Sequence, residues 1–248
     1  MKVAVVIPAR YGSTRFEGKV LARQTGKYLV QHTYERALCA KKVDRVLIAT
    51  DSPAVLDACR SFGGECVMTC QSHKSGTDRI AEAVAGLDAD IIVNLQADEP
   101  EIEPKYIDYP AELLIKDQDA RMATLVAEFA DAVQIADPNV VKVIVDKKDR
   151  AIYFSRSVIP YDRQAGGVGD KKGYLRHLGI YAYRRDFLLE FTRLSESLLE
   201  GMEKLEQLRA IEHGFTIITG KVEHTWDGID TPEQYEAFVR RYKQGRSG

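Results

Sequence analysis

The sequence predicts an α/β fold: an open, mostly parallel sheet with helices on both faces, joined by a smaller mixed α/β subdomain. Three observations carry this. Short unbroken apolar runs alternate with segments of helical spacing through the first half of the chain. Those runs are rich in Val and Ile, as strands covered on both faces are. Near residue 120 the alternation gives way to strands with fewer helices between them.

Taken in order, "KVAVVIPA" is a buried strand and "YLVQHTYERALCA" has helical spacing. "DRVLIATD" is a second strand, and "PAVLDACRSFG" a second helix stopped at Gly63 and Gly64. "ECVMT" is a short strand, "GTDRIAEAVAGL" a helix with Thr77 or Asp78 as its start signal, and "ADIIVNLQ" another apolar strand. "EPKYIDYPAELLIKD" reads as a helix with Pro110 inside it, so the helix either begins at Pro110 or kinks there. "MATLVAEF", "VVKVIVD", "AIYFSR" and "HLGIYAYR" are strands, and "GGVGDKKG" is a loop by composition. "RDFLLEFTRL" and "MEKLEQLRAIEHG" are helical, and "FTIIT" is a strand. "TPEQYEAFVRRYKQ" closes as a helix, with Asp230 or Thr231 as N-cap, Pro232 at its first position and Glu233 next. Residues 1–130 and 215–248 are expected to form the main domain, and 131–214 an inserted subdomain.

Bulk properties narrow the class. The chain has 248 residues, 45% of them hydrophobic and 29% charged, as in ordinary globular enzymes. A net charge of −2 argues against nucleic acid as a partner. No stretch approaches the roughly 20 apolar residues of a membrane span, and the opening run reads as a strand and not a signal peptide. A cytoplasmic protein without membrane insertion is expected. The spacing of Cys39, Cys59, Cys66 and Cys70 fits neither a redox pair nor a zinc ribbon, so reduced thiols are expected.

Directly after the first strand comes "PARYGSTRFEGK", with Arg10, Arg15 and Lys19 set among small residues. A surface turn needs no such concentration of positive charge; a polyphosphate does. Gly12 and Gly18 allow close backbone approach, and Ser13 and Thr14 offer donors. It is neither the GxxxxGK[ST] phosphate loop nor the GxGxxG fingerprint. "NLQADEP" places Asp98 where a strand ends, the ligand-binding edge of such sheets. A carboxylate there suits Mg²⁺. Asp230 is the natural second ligand, although it is also a good helix cap, and Asp227 is a nearby competitor.

These stretches, with "HKSGTDRIAEA", "VKVIVD", "YFSRSVIPYDR", "RHLGIYAYR", "LEQLRAIEHG" and "DGIDTPEQY", resemble the 3-deoxy-manno-octulosonate (Kdo) cytidylyltransferase family over most of the chain. The resemblance implies a nucleotide-diphospho-sugar transferase type of fold, and transfer of CMP from CTP to the anomeric hydroxyl of Kdo for lipopolysaccharide synthesis. It also implies Mg²⁺ as cofactor and a homodimer built from the inserted subdomain. On that basis Arg10, Arg15, Lys19, Asp98 and Asp230 are the expected catalytic set, with Asp98 and Asp230 holding the metal. CTP is expected to meet Pro8, Ala9, Arg10, Ser13, Arg15, Lys19, His73, Ser75, Gly76, Thr77, Arg79 and Gln96. For Kdo, Arg156 and Arg163 are candidates for the carboxylate, and Gln96, His177, Tyr181, Glu206 and Gln207 for the hydroxyls. Glu206 and Gln207 are neighbours on an expected helix, about 100° apart, and so do not share a face. No side chain stands out as a general base. The family usually has Gly where Ala97 stands, so the backbone there must accept a Cβ.

Competing readings remain at this point. A sister enzyme for another acid sugar, such as sialic acid, usually carries lysine in place of Arg15 and asparagine in place of Val20. A CTP-binding protein without transfer activity would not be expected to keep Arg10, Lys19, Asp98 and Asp230. A purely structural domain does not explain four polar motifs that all fall at strand ends.

Overall fold

The computed structural model describes residues 1–12 and 15–245. Its strands and helices run β1 (Val3–Pro8), α1 (Leu29–Leu38), β2 (Arg45–Thr50), α2 (Pro53–Ser61), β3 (Cys66–Met68), α3 (Gly76–Ala83), β4 (Ile91–Asn94), α4 (Pro104–Lys116), β5 (Met122–Glu128), α5 (Val133–Ala136), β6 (Lys142–Val145), β7 (Ala151–Ser155), β8 (Leu175–Arg184), α6 (Arg185–Phe191), α7 (Leu198–Glu203), α8 (Gln207–Glu212), β9 (Ile217–Val222) and α9 (Pro232–Gln244). Short 3-10 turns lie at Lys19–Leu21 and Lys171–Gly173.

The chain divides into two compact units. One is Met1–Asp108 together with the chain from Trp226 on, and the other is Tyr109–Thr225. The divide lies further out than the expected 130 and 215. β5 pairs antiparallel with β8 and in parallel with β9, from Met122 with Ile217 to Ala127 with Val222, and all three strands lie in the second unit.

In the first unit the strand order is β3-β2-β1-β4, and every neighbouring pair is parallel. β1 lies between two partners, which is why Val3–Ile7 are all buried and read as one apolar run. α9 returns to this unit after the second one is complete. Its Tyr235, Phe238 and Val239, spaced for one helical face, pack with Leu29 of α1 and with Ile229. Burying each such side chain contributes about 1.5–3 kcal/mol, an upper range. Packing therefore sets where the start of α9 must lie.

In the second unit β5 pairs antiparallel with β8 on one side and parallel with β9 on the other, while β6 pairs antiparallel with β7 and β8. Phe129, Ile135 and Tyr174 form a small core beside this sheet.

Several local expectations change. The cap of α3 is Ser75, whose hydroxyl accepts from the Asp78 N–H at 3.1 Å; Thr77 and Asp78 are already helical. α4 begins at Pro104 and not at Pro110, which sits inside it without an N–H to offer the Tyr106 carbonyl. The expected helix over 202–214 is two helices, α7 and α8, broken at Lys204 with φ 53°. Glu206 is accordingly the N-cap of α8 and Gln207 its first residue. The cap of α9 is Thr231, which forms a reciprocal capping box with Gln234. All four cysteines are free thiols. Among the described residues, no helix is long and apolar enough to cross a membrane.

Candidate functional site

The loop after β1 turns back through Gly18, whose φ of 63° favours glycine and where a Cβ would come within 3.3 Å of the Tyr11 ring. This turn aims Lys19 inward. Its ammonium donates to Asp98 Oδ2 at 2.5 Å, to Asp230 Oδ1 at 2.9 Å and to the Ile229 carbonyl at 3.0 Å. These partners lie 79 and about 211 residues further along the chain. The Ile229 N–H donates to the Asp98 carbonyl at 2.8 Å, so a main-chain bond holds the two acidic segments together. Arg15 adds a bond to the other Asp230 oxygen at 2.9 Å. That guanidinium is 65% exposed and contributes little to stability. Lys19 is only 13% exposed. Burial works against its charge, but Asp98 and Asp230 outweigh burial and raise its pKa. Asp230 also loses solvation, yet Lys19 and Arg15 hold its carboxyl below the usual range.

With Thr231 as the cap of α9, Asp230 has no capping duty. Its N–H donates to Gln234 Oε1 at 2.7 Å, and its carboxylate is turned to the two cations. Ala97 causes no backbone conflict, because it is not among the residues with positive φ, and its carbonyl accepts from Thr33 at 3.0 Å.

Beside this cluster, a cavity of about 260 Å³ is lined by Pro8, Arg10, His73, Lys74, Ser75, Gly76, Arg79 and Gln96. Gly76 lets the backbone approach closely there, since a Cβ would come within a tight 3.3 Å of the Pro8 side chain. Gln96 gives its amide N–H to Asn94 at 2.9 Å, leaving Oε1 on the Gly76 side as an acceptor. Arg79 is buried and committed: it donates to Thr69 at 2.6 Å, to the Cys70 carbonyl at 3.4 Å and to Asp51 at 2.6 Å. It shapes the cavity wall from a fixed position. His73 pairs with Glu82, and Ala9 and Thr77 are buried outside the lining. Ser13 and Thr14 lie outside the described residues.

The second unit holds its own cavity, of about 290 Å³. Its walls come from Asn139, Val140 and Val141, from Arg176, His177, Gly179 and Tyr181 of β8, and from Lys204, Leu205, Glu206 and Gln207. Gln207 is 4% exposed, and its Nε2 has no hydrogen-bond partner among the described residues. A buried donor left so is costly, and a ligand acceptor in the cavity relieves the cost. His177 Nε2 lies 3.0 Å from Thr124 Oγ1, and the ring packs between Phe154 and Tyr181. Loss of solvation, with Arg176 second, pushes its pKa down to about 3. His177 is therefore neutral at working pH. Its neutral form adds stability above its ordinary value of 6.5 that is lost as pH falls from 6.5 towards 3. An NMR titration is expected to show no protonation of this ring above about pH 4. A midpoint near 6 would contradict the packing described.

Of the expected sugar ligands, His177, Tyr181, Glu206 and Gln207 line this cavity. Arg156 and Arg163 do not. Arg156 is bonded to main-chain carbonyls, and Arg163 is exposed on the turn between the paired Asp162 and Gly167. Gln96 lines the cavity of the first unit. Sequence reasoning missed Arg176, Lys204 and Lys74, which line the cavities. Arg176 stands in "RHLGIY" directly before His177, a charge on a strand that could have drawn notice. It also missed Glu99, a buried acid beside Asp98. Burial first, and Asp98 second, push its pKa up to about 8, while Trp226 donates to it at 3.0 Å. A protonated Glu99 adds no third negative charge to the Asp98–Asp230 pair.

Comparisons with known proteins identify the family of the chain. The cytidylyltransferase family profile matches residues 4–218. The chain is 44% identical to the 3-deoxy-manno-octulosonate cytidylyltransferase of Geotalea daltonii, over 98% of this chain and 99% of that protein. It is 45% identical to the protein of the same name from Geobacter metallireducens, over 97% and 98%. Among solved structures, the CMP:2-keto-3-deoxy-manno-octonic acid synthetase complexed with CTP matches with TM-score 0.93 at 44% identity, over 99% of this chain and 100% of that one. The 4-diphosphocytidyl-2C-methyl-D-erythritol synthase of Anaerococcus prevotii, at TM-score 0.64 and 12% identity over 98% of each chain, shares the fold.

Proposed function

The chain belongs to the 3-deoxy-manno-octulosonate cytidylyltransferase family, and from that premise we propose how its own residues carry the reaction. The enzyme joins CMP from CTP to the anomeric hydroxyl of Kdo and releases pyrophosphate, giving CMP-Kdo. A bond forms between the sugar oxygen and the α-phosphorus as the bond to the leaving pyrophosphate breaks. The observation that carries the proposal is the cluster of Lys19, Asp98 and Asp230, held by three charge-assisted or main-chain bonds next to a polar cavity of about 260 Å³.

Arg10, Arg15 and Lys19 supply positive charge for the triphosphate and for the charge that builds on pyrophosphate as it leaves. Positioning and electrostatic stabilisation dominate such transfers. Gly76, Ser75 and Gln96 offer a close approach and polar groups for the cytosine ring.

The acidic pair fits Mg²⁺. Both carboxylates already reach a single cation, the Lys19 ammonium, and hard oxygen donors are what Mg²⁺ takes. Among the described residues, no group of three or more His, Cys, Asp and Glu could hold a metal. An ion held by Asp98 and Asp230 would take its other ligands from water and phosphate, as Mg²⁺ commonly does. When bound, it supplies neutralisation of phosphate oxygens and lowers the pKa of a hydroxyl that it meets. His177 is not a general base here, because a neutral imidazole with a pKa near 3 is a poor proton acceptor. Its role is to orient, with Tyr181, Glu206 and Gln207, a substrate rich in hydroxyls.

Steady-state pyrophosphate release tests the division of work. Glu206→Ala and Gln207→Ala are each expected to raise the KM for Kdo about tenfold, one lost hydrogen bond of about 1–1.5 kcal/mol, and to leave the KM for CTP unchanged. An effect on CTP instead would show that the two half-sites are assigned the wrong way round.

A further inference from the structure

We propose that Lys142 and Arg156 are positioning residues: they build the acid-sugar cavity by bolting its walls together through main-chain carbonyls, and do not grip the sugar. The inference rests on the reading of that cavity as the Kdo site.

Lys142 lies on β6 and is completely buried. Its ammonium donates to the carbonyls of Asp137 at 2.9 Å, Val140 at 2.8 Å and Arg156 at 2.5 Å. An ammonium has three N–H groups, so none is left for a ligand. A buried cation is retained only where its bonds compensate lost hydration. Here they fix residues 137–140, and Asn139 and Val140 of that stretch form one cavity wall.

Arg156 does the same for the other wall. Its guanidinium donates to the carbonyls of Glu203 at 2.8 Å, Pro138 at 3.0 Å and Lys204 at 3.5 Å. The Glu203 carboxylate accepts in turn from the Arg156 N–H at 2.9 Å and from Ser155 Oγ at 2.5 Å. Lys204 is the left-handed break between α7 and α8, a conformation that costs a residue with a Cβ. Glu206 and Gln207 take their positions from that break. The two cations therefore tie the 137–140 segment, the end of β7 and the α7–α8 link into one frame, as a bound metal ion would. The sugar carboxylate is left to the cations that line the cavity, Arg176 and Lys204.

The test uses the full chain at saturating CTP and compares two probes: Kdo as substrate, and its C1 carboxamide, which lacks the charge, as competitive inhibitor. Lys142→Met and Arg156→Met are expected to raise the KM for Kdo and the inhibition constant of the carboxamide by the same factor, tenfold or more. The KM for CTP should stay within twofold. Arg176→Met, by contrast, should weaken Kdo alone. If Arg156→Met weakens Kdo and spares the carboxamide, Arg156 is a direct carboxylate ligand and the inference fails. An unchanged KM for Kdo in both variants overturns it too. Should Lys142→Met not fold, Arg156→Lys, which keeps the charge and loses the fork, decides by the same ratio. Wild-type pyrophosphate release with CTP and Kdo is measured first. Its absence would remove the underlying reading, whereas a normal wild type with unaffected variants removes only this inference.

Discussion

Asp230→Asn is expected to lower turnover by on the order of 100-fold or more while α9 stays in place. The substitution separates two duties that an aspartate before a helix can have. As a cap, asparagine would serve nearly as well. The cap of α9, however, is Thr231, with Gln234 completing the box, so nothing in the helix needs the Asp230 carboxylate. That carboxylate faces Lys19 and Arg15 instead. Asp98→Asn should cost about as much. The double variant should be little worse than either single one, because groups that act as a unit are not additive. Pyrophosphate release as a function of Mg²⁺ concentration is the measurement. A fully active Asp230→Asn enzyme with unaltered Mg²⁺ dependence would remove Asp230 from the metal site.

Lys19→Ala carries the second large effect, and it should appear in two readouts. Turnover should fall by about 100-fold, roughly 3 kcal/mol in the barrier, through loss of charge beside the leaving pyrophosphate. The melting temperature should fall as well. Removing a largely buried ammonium leaves Asp98 and Asp230 facing each other without their shared partner. Arg10→Ala should lower turnover strongly without that loss of stability, since Arg10 is exposed at the cavity. Turnover and thermal melts of the two variants, measured together, decide the matter. Near-normal pyrophosphate release in both would sink the assignment of this loop to phosphate.

The first unit was the more legible half of the fold. β1, β2 and β4 are buried strands whose apolar runs are unbroken, short and rich in Val and Ile, a pattern an amphipathic helix does not produce. α9 declared itself by Pro232 and by the spacing of Tyr235, Phe238 and Val239. The second unit was harder to divide. β5 and β9 read as strands of the first domain in sequence, and only the pairing of β5 with both β8 and β9 places them elsewhere. The break at Lys204 was not visible, because "MEKLEQLRAIEHG" keeps helical spacing across it.

By itself the sequence determined which chemical groups are present: a cationic loop behind a buried strand, acids at a strand end and before a helix, and polar residues in later motifs. These are local properties, set by residue type and by short-range backbone preference. Only the tertiary structure decided how they are used. Lys19, Asp98 and Asp230 become one cluster because α9 packs on α1 and Ile229 bonds to the Asp98 carbonyl. Arg156, an apparent carboxylate ligand, proves to be bonded to carbonyls of residues far along the chain. Arg79 is likewise committed to Asp51 and Thr69. Whether an arginine is offered to a ligand depends on which acceptors the folded chain places around it, and those acceptors come from segments that no local pattern relates.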